Sequence, residues 1–63
     1  MPKKVRDMIK EVEADGWIFS HAEGDHRQYK HPTKRGKVTI PGHPRDDLGD
    51  RIVASIRRQM RGT

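Results

Sequence analysis

Apolar residues recur near both ends of the chain at the spacing of an α-helix. Val5, Met8, Ile9 and Val12 stand at positions i, i+3, i+4 and i+7, the stripe of an amphipathic helix. Asp15-Gly16 follows, and glycine readily takes the left-handed conformation that ends helices. A second stripe consists of Leu48, Ile52, Val53, Ile56 and Met60. The spacing therefore predicts a helix near each end, the second beginning between Asp46 and Asp50.

The middle of the chain alternates as β-strands do. We predict strands over residues 17–23, 26–31 and 37–40, joined by turns rich in Gly, Asp and Pro. The face towards the helices should carry Trp17, Phe19, Tyr29, Val38 and Ile40. The pattern predicts an α+β fold with the order helix–three-stranded antiparallel sheet–helix, both helices on one sheet face. We expect residues 1–63 to form one domain.

Charge is concentrated in the middle of the chain. The balance is −2 over residues 1–25, +6 over residues 26–45 and +1 over residues 46–63, which sums to the net +5. The middle block contains no acidic residue. Such a block is typical of proteins that bind a polyphosphate. A solvated basic surface is the alternative that composition leaves open.

Composition argues against several other classes of protein. The chain has no cysteine, so it has no disulfide and no thiolate–metal site. No apolar run approaches the roughly 18 residues that a membrane span needs. The first residues lead directly into a charged, periodic segment, unlike a signal peptide. We therefore expect a cytoplasmic protein that does not associate with a membrane.

The alternation of side chains along a strand assigns each candidate functional residue to one face of the sheet. Because Tyr29 faces the helices, residues of opposite parity on its strand face the open side of the sheet. By this argument the open side holds His26, Gln28, Lys30, Lys37 and Thr39. This is a cationic, hydrogen-bonding patch around one imidazole, a group that exchanges protons near neutral pH. On the pattern alone, an exposed histidine without a function remains the alternative.

Histidine spacing argues against a metal centre. His21, His26 and His31 are five residues apart, which puts successive ones on opposite strand faces. No acidic cluster accompanies them in the basic block, so we expect no metal. We expect His21 and His31 to be partly buried, hydrogen-bonded residues at the sheet edge. His43 is either a loop residue or a member of the open face.

Four runs of residues, taken in their order and spacing, resemble a known family. They are Gly16-Trp17, Gly24-Asp25-His26-Arg27-Gln28-Tyr29-Lys30-His31-Pro32, Val38-Thr39-Ile40-Pro41-Gly42-His43 and Asp47-Leu48. From about Lys3 to Gln59 the chain resembles the HicA toxins, the small partners in HicA/HicB toxin–antitoxin pairs. The resemblance implies a fold like that of a double-stranded-RNA-binding domain. It also implies metal-independent cleavage of messenger RNA, no cofactor, and a HicB-like antitoxin as partner.

The resemblance also implies which residue is catalytic. The family's catalytic histidine follows the first hairpin turn and matches His26, so Gly24 and Asp25 form the turn that supports the site. The family usually has serine where this chain has Asp25. The residues expected to bind RNA are Lys30, Lys37, Gln28 and Thr39, with Arg27, Lys34, Arg35 and His43.

Two other functions are alternatives to a nuclease. A non-catalytic RNA-binding module of the same fold usually carries lysines at the start of its last helix. This chain instead reads Asp46-Asp47-Leu48-Gly49-Asp50 there. A purely structural or regulatory protein leaves the exposed histidine and the acid-free block unexplained.

Overall fold

The order of elements confirms the predicted fold and adds one short ribbon. A computed structural model describes residues 3–62. Met1, Pro2 and Thr63, which the expected domain of residues 1–63 includes, lie outside the described residues. The elements are β1 (Lys3–Lys4), α1 (Val5–Ala14), β2 (Ile18–Glu23), β3 (His26–Lys30), β4 (Val38–Ile40), β5 (Asp47–Leu48) and α2 (Asp50–Gln59). The antiparallel sheet has the order β2-β3-β4, and β1 pairs with β5.

The first helix follows the predicted apolar stripe. Val5, Met8 and Val12 are buried on one side of α1. The chain then turns through Gly16, whose φ of 94° is accessible mainly to glycine. A Cβ atom at Gly16 would lie 2.8 Å from Nε2 of His31. Glycine is therefore required here both by backbone conformation and by the close approach of the neighbouring ring.

Both helices pack on one face of the sheet, over its β4 side. Tyr29, Val38 and Ile40 are buried beneath them, as predicted. Phe19 pairs directly with Tyr29 and so shares its face. Phe19 therefore lies on the predicted face, but 46% of its surface is exposed, so the helices do not cover it. The reason is its place on β2, the edge strand farthest from the helices.

A bulge in β2 changes which residues face the open side. The pairing register shifts between Phe19 and His21, so that His21 pairs with Gln28 and Glu23 pairs with His26. An extra residue in a strand reverses the face of every side chain that follows it. The prediction that His21 and His26 lie on opposite faces is therefore wrong, and both lie on the open face.

The ribbon of β1 and β5 was not predicted. Lys3 pairs with Leu48 and Lys4 with Asp47. Leu48 is buried as expected but belongs to β5, because α2 begins only at Asp50. Two-residue strands carry too few positions for alternation to be recognised. Within residues 3–62, neither helix has the length and apolar character that crossing a bilayer would need.

Candidate functional site

His26 is the first residue of β3 and follows a tight turn. Gly24 in that turn has a φ of 60°, a conformation that glycine adopts without strain. The His26 side chain is about half exposed, and its Nδ1 lies 3.1 Å from Oδ1 of Asp25. A carboxylate at this nitrogen favours the tautomer with the proton on Nδ1. The other nitrogen, Nε2, is then able to accept a proton.

Gln28 and Thr39 form a hydrogen-bonded pair across the two central strands. They are direct partners in the pairing of β3 and β4. The hydroxyl of Thr39 donates to Oε1 of Gln28 at 2.7 Å. Gln28 lies on the predicted face, but it is buried rather than exposed, because its strand is the central one. Its amide oxygen is occupied, so the amide NH2 is its remaining polar group.

Lys30 and Lys37 extend this face away from the turn. Lys30 ends β3 and pairs with Ile18, and Lys37 immediately precedes β4. Both are exposed, and neither makes an ion pair with any residue in the described part of the chain. The face therefore offers two cationic groups that a ligand can use.

Glu23 and His21 are members of this face that sequence reasoning missed. Nε2 of His21 lies 3.0 Å from Oε1 of Glu23. This hydrogen bond is the main cause of a lowered pKa at Glu23, with smaller contributions from the charges of His21, Lys37 and His26. Glu23 also stands directly across from His26 in the sheet. Glu23 and His21 lie on this face only because of the bulge, and no feature of the sequence predicts the bulge.

Arg27 and His43 lie away from the open face. Arg27 pairs with Ala22 and Ile40, so it shares the face of the helices. Its Nε is buried and has no hydrogen-bond partner within residues 3–62. Together with His43 it lines a small cavity of about 110 Å³ beside the Gly24 turn. His43 is thus an exposed loop residue beside Arg27.

Lys34 takes part in the fold rather than in the open face. Its ammonium lies 2.6 Å from Oδ2 of Asp15 and donates to the carbonyl of Met60 at 3.2 Å. These contacts connect the loop after β3 to the ends of both helices. Arg35, its neighbour, is exposed in the same loop. Of the predicted basic residues, the structure thus brings only Lys30 and Lys37 onto the face of His26.

His31 is a structural residue, as predicted. Its Nδ1 accepts hydrogen bonds from the backbone N–H groups of Thr33 and Lys34, both at 3.1 Å. Its Nε2 therefore carries the proton and donates to the carbonyl of Asp15 at 3.0 Å. The ring also packs edge-on against Trp17. His21 differs, because it is exposed rather than partly buried.

The chemistry available on the open face depends on its two imidazoles, those of His21 and His26. Within residues 3–62 there is no group of three or more His, Cys, Asp or Glu side chains that could hold a metal ion. The open face instead combines His21 and His26, each next to a carboxylate, with a hydroxyl–amide pair and two lysines that have no ion-pair partner in residues 3–62. Such a set can move a proton and bind an anion.

A comparison with protein families assigns the chain. A family model described as "HicA toxin of bacterial toxin-antitoxin" matches residues 5–61. The match includes both helices, the three-stranded sheet and the turn that carries His26. No curated protein matches the chain. Because the family model covers nearly all of it, the chain belongs to the HicA family of toxins from bacterial toxin–antitoxin systems.

Proposed function

We propose that this toxin is a metal-independent endoribonuclease that cleaves messenger RNA, with His26 as its catalytic residue. The observation that carries the proposal is the position of His26. It is exposed on the open face, follows the hairpin turn, and has its Nδ1 3.1 Å from the Asp25 carboxylate. Messenger RNA as the target makes the cytoplasm the expected place of action.

RNA supplies its own nucleophile, so the protein needs little machinery. Nε2 of His26 would take the proton of a 2′-hydroxyl as that oxygen attacks the adjacent phosphorus. The bond from phosphorus to the 5′ oxygen then breaks, and the protonated imidazole can return its proton to that oxygen. One such acid–base group contributes about 10²–10⁴-fold to the rate. That is a modest acceleration for a nuclease, and it suits a toxin.

The remaining groups of the face would hold the RNA strand. Lys30 and Lys37 have no ion-pair partner in residues 3–62 and are the cations available to phosphates. The Thr39 hydroxyl offers a neutral hydrogen bond between them and His26, and the buried Gln28 holds that hydroxyl in place. Arg35 is exposed in the loop after β3, outside this face, and Lys34 is paired with Asp15.

The test compares His26→Ala with the parent in two measurements on purified protein. Cleavage of a labelled RNA, with a chelator present, should fall by about 10²–10⁴-fold. The melting temperature should barely change, because an exposed side chain shifts stability by about 0.5 kcal/mol or less. His21→Ala is the matched control, since His21 is also exposed on the open face. A folded His26→Ala protein that cleaves like the parent would contradict the proposal, and a parent inactivated by chelator would contradict its metal-free part.

The same experiment separates the nuclease from a non-catalytic RNA-binding module. Such a module would bind RNA, and neither the parent nor His26→Ala would cut it. The acidic segment that leads into α2 favours the nuclease, because Asp46, Asp47 and Asp50 stand where binding modules of this fold usually carry lysines.

Membership in a toxin–antitoxin family implies an antitoxin. We propose that this partner is a HicB-like protein that covers the open face of the sheet. The face offers exposed cations and an exposed imidazole, and acidic or polar groups are their natural partners.

A further inference from the structure

The outer edge of the sheet carries a surface that the site above does not use. Ile18 and Phe19, at the start of β2, are 63% and 46% exposed. With Ser20, Lys30, His31 and Pro32 they line an open groove of about 330 Å³, here called the edge groove. Large exposed apolar side chains that sit together in a groove indicate a binding surface.

The aromatic walls of the edge groove are held in place. The ring of Phe19 packs edge-on against Tyr29, with 5.7 Å between centroids, and Tyr29 is buried. On the other side, hydrogen bonds from the loop backbone and to the Asp15 carbonyl fix the ring of His31. A ligand that enters the groove therefore does not have to order its walls, which lowers the entropic cost of binding.

The charge around the edge groove selects an anionic ligand. Phe19 lies on the helix side of the sheet, whereas Lys30 lines the groove and faces the open side with His26, so the groove runs round the outer edge of the sheet to the cationic face. No acidic residue of the described chain lines it. The bulge at Ser20 distorts the outer edge of β2, and this disfavours the addition of a strand from another protein. The groove thus suits a flat apolar group attached to a phosphate.

We infer that the edge groove is a subsite for one unpaired RNA base, which stacks on Phe19 while Lys30 contacts the adjoining phosphate. The inference rests on RNA being the substrate, as proposed above. Aromatic side chains bind single-stranded RNA in this way because every base has a π face to stack. His26 and Lys30 are four residues apart on β3, a distance of about 13 Å. The stacked base therefore lies some nucleotides away from the cleaved bond and makes the toxin select single-stranded RNA.

The test uses a single-stranded 2′-O-methyl oligonucleotide, which binds but has no 2′-hydroxyl proton and is not cleaved. Phe19→Ala should weaken its binding by about 5- to 150-fold, the range that stacking of one base spans. Phe19→Trp should preserve binding, since tryptophan also stacks. Ile52→Ala is the matched control, because Ile52 is an equally exposed apolar residue on α2, outside the groove. The parent and its variants should have similar melting temperatures.

Two further measurements identify stacking as the cause. The first uses a series of oligonucleotides that each lack the base at one position. Loss of the base at one particular position should weaken binding to the parent, and the same loss should have little effect on binding to Phe19→Ala. Phe19→Ala should leave the slope of log K against log salt unchanged, whereas Lys30→Ala should flatten it by about 0.7. A folded Phe19→Ala protein that binds the oligonucleotide like the parent would overturn the inference. Loss of antitoxin binding without loss of RNA binding would also overturn it, and would make the groove a protein-docking surface.

The inference and the proposed function can fail separately. If the oligonucleotide binds in a Phe19-dependent manner but the parent cleaves no RNA, only the nuclease proposal fails. If the parent cleaves RNA and Phe19→Ala binds and cleaves equally well, only the base subsite fails.

Discussion

Nδ1 of His26 lies 3.1 Å from Oδ1 of Asp25, and both side chains are about half exposed. We expect this carboxylate to orient the imidazole, so Asp25→Asn should reduce the rate of RNA cleavage. Exposed pairs of this kind contribute about 0.2–1 kcal/mol, so we expect a loss of about 1.4- to fivefold in kcat. Single-turnover cleavage at saturating protein measures it. Faster cleavage by Asp25→Asn would mean that the carboxylate acts mainly by repelling the phosphate.

Binding of RNA should depend on salt through Lys30 and Lys37. Each phosphate contact on a single strand contributes about −0.7 to the slope of log K against log salt. With three or four contacts, the parent should have a slope of about −2 to −3. The double variant that combines Lys30→Ala and Lys37→Ala should have a slope that is flatter by about 1.4. The matched control is Lys10→Ala, an exposed lysine on α1. A slope near zero for the parent would remove the electrostatic basis of binding.

The antitoxin should protect the open face of the sheet. Chemical labelling of His26, Lys30 and Lys37 should slow in the complex, whereas labelling of Lys10 on α1 should not. Hydrogen exchange measured by mass spectrometry gives the same comparison for the backbone of β3 and α1. Protection confined to the two helices would mean that inhibition does not occur by covering the face.

Glu11 should make stability depend on pH in acid. It accepts hydrogen bonds from Arg57 and Lys3, which together lower its pKa from 4.5 to about 2. A carboxyl whose pKa falls on folding stabilises the protein above its unfolded pKa, and this stabilisation disappears as the pH falls from about 4.5 to about 2. Since Glu11 is partly exposed, Glu11→Gln should cost about 1–2 kcal/mol at pH 7. Urea denaturation at several pH values measures both effects.

The control for this prediction is Glu13→Gln on the same helix. Glu13 is exposed and makes no ion pair with another residue in the described range. Its substitution should leave the free energy of unfolding within about 0.5 kcal/mol of the parent value. Equal losses for both variants would show that overall charge, rather than the contacts of Glu11, is responsible.

His31→Ala should act on stability rather than on catalysis. The substitution removes the acceptor for two backbone N–H groups, the bond to the Asp15 carbonyl and the contact with Trp17. We expect a loss of about 2 kcal/mol in the free energy of unfolding, because each net hydrogen bond contributes about 1 kcal/mol and the site is partly solvated. Urea denaturation measures it. His21→Ala, which changes only an exposed ring, should stay within about 0.5 kcal/mol of the parent.

The fold could be predicted from the sequence because the helical and the strand periodicity of apolar residues each extend over enough positions to be recognised. The apolar stripes located both helices, and the apolar positions of β3 and β4 established which face is open. His26 and Lys30 followed from the parity of Tyr29, since β3 has no irregularity. The family resemblance, carried by the run from Gly24 to Pro32, agreed with this parity.

The remaining features of the site depend on tertiary interactions, which the alternation of apolar and polar residues along a strand does not reveal. The bulge at Ser20 reverses the faces of His21 and Glu23, and nothing in the local sequence requires it. Phe19 has the parity of a core residue, but its exposure depends on how far the helices extend across the sheet. The sequence does not distinguish Lys34 from the other lysines, and only the folded chain places Asp15 beside it. Each of these outcomes is a tertiary effect.

The position of α2 after the sheet in the chain has a consequence for incomplete synthesis. Val53 and Ile56 are added after every strand, yet they complete the core over β4. A chain that stops before Asp50 leaves Val38 and Ile40 covered only by α1, and a domain this small has little stability to spare. We therefore expect such fragments to stay unfolded and harmless, so that a toxic product arises only from translation that continues through α2.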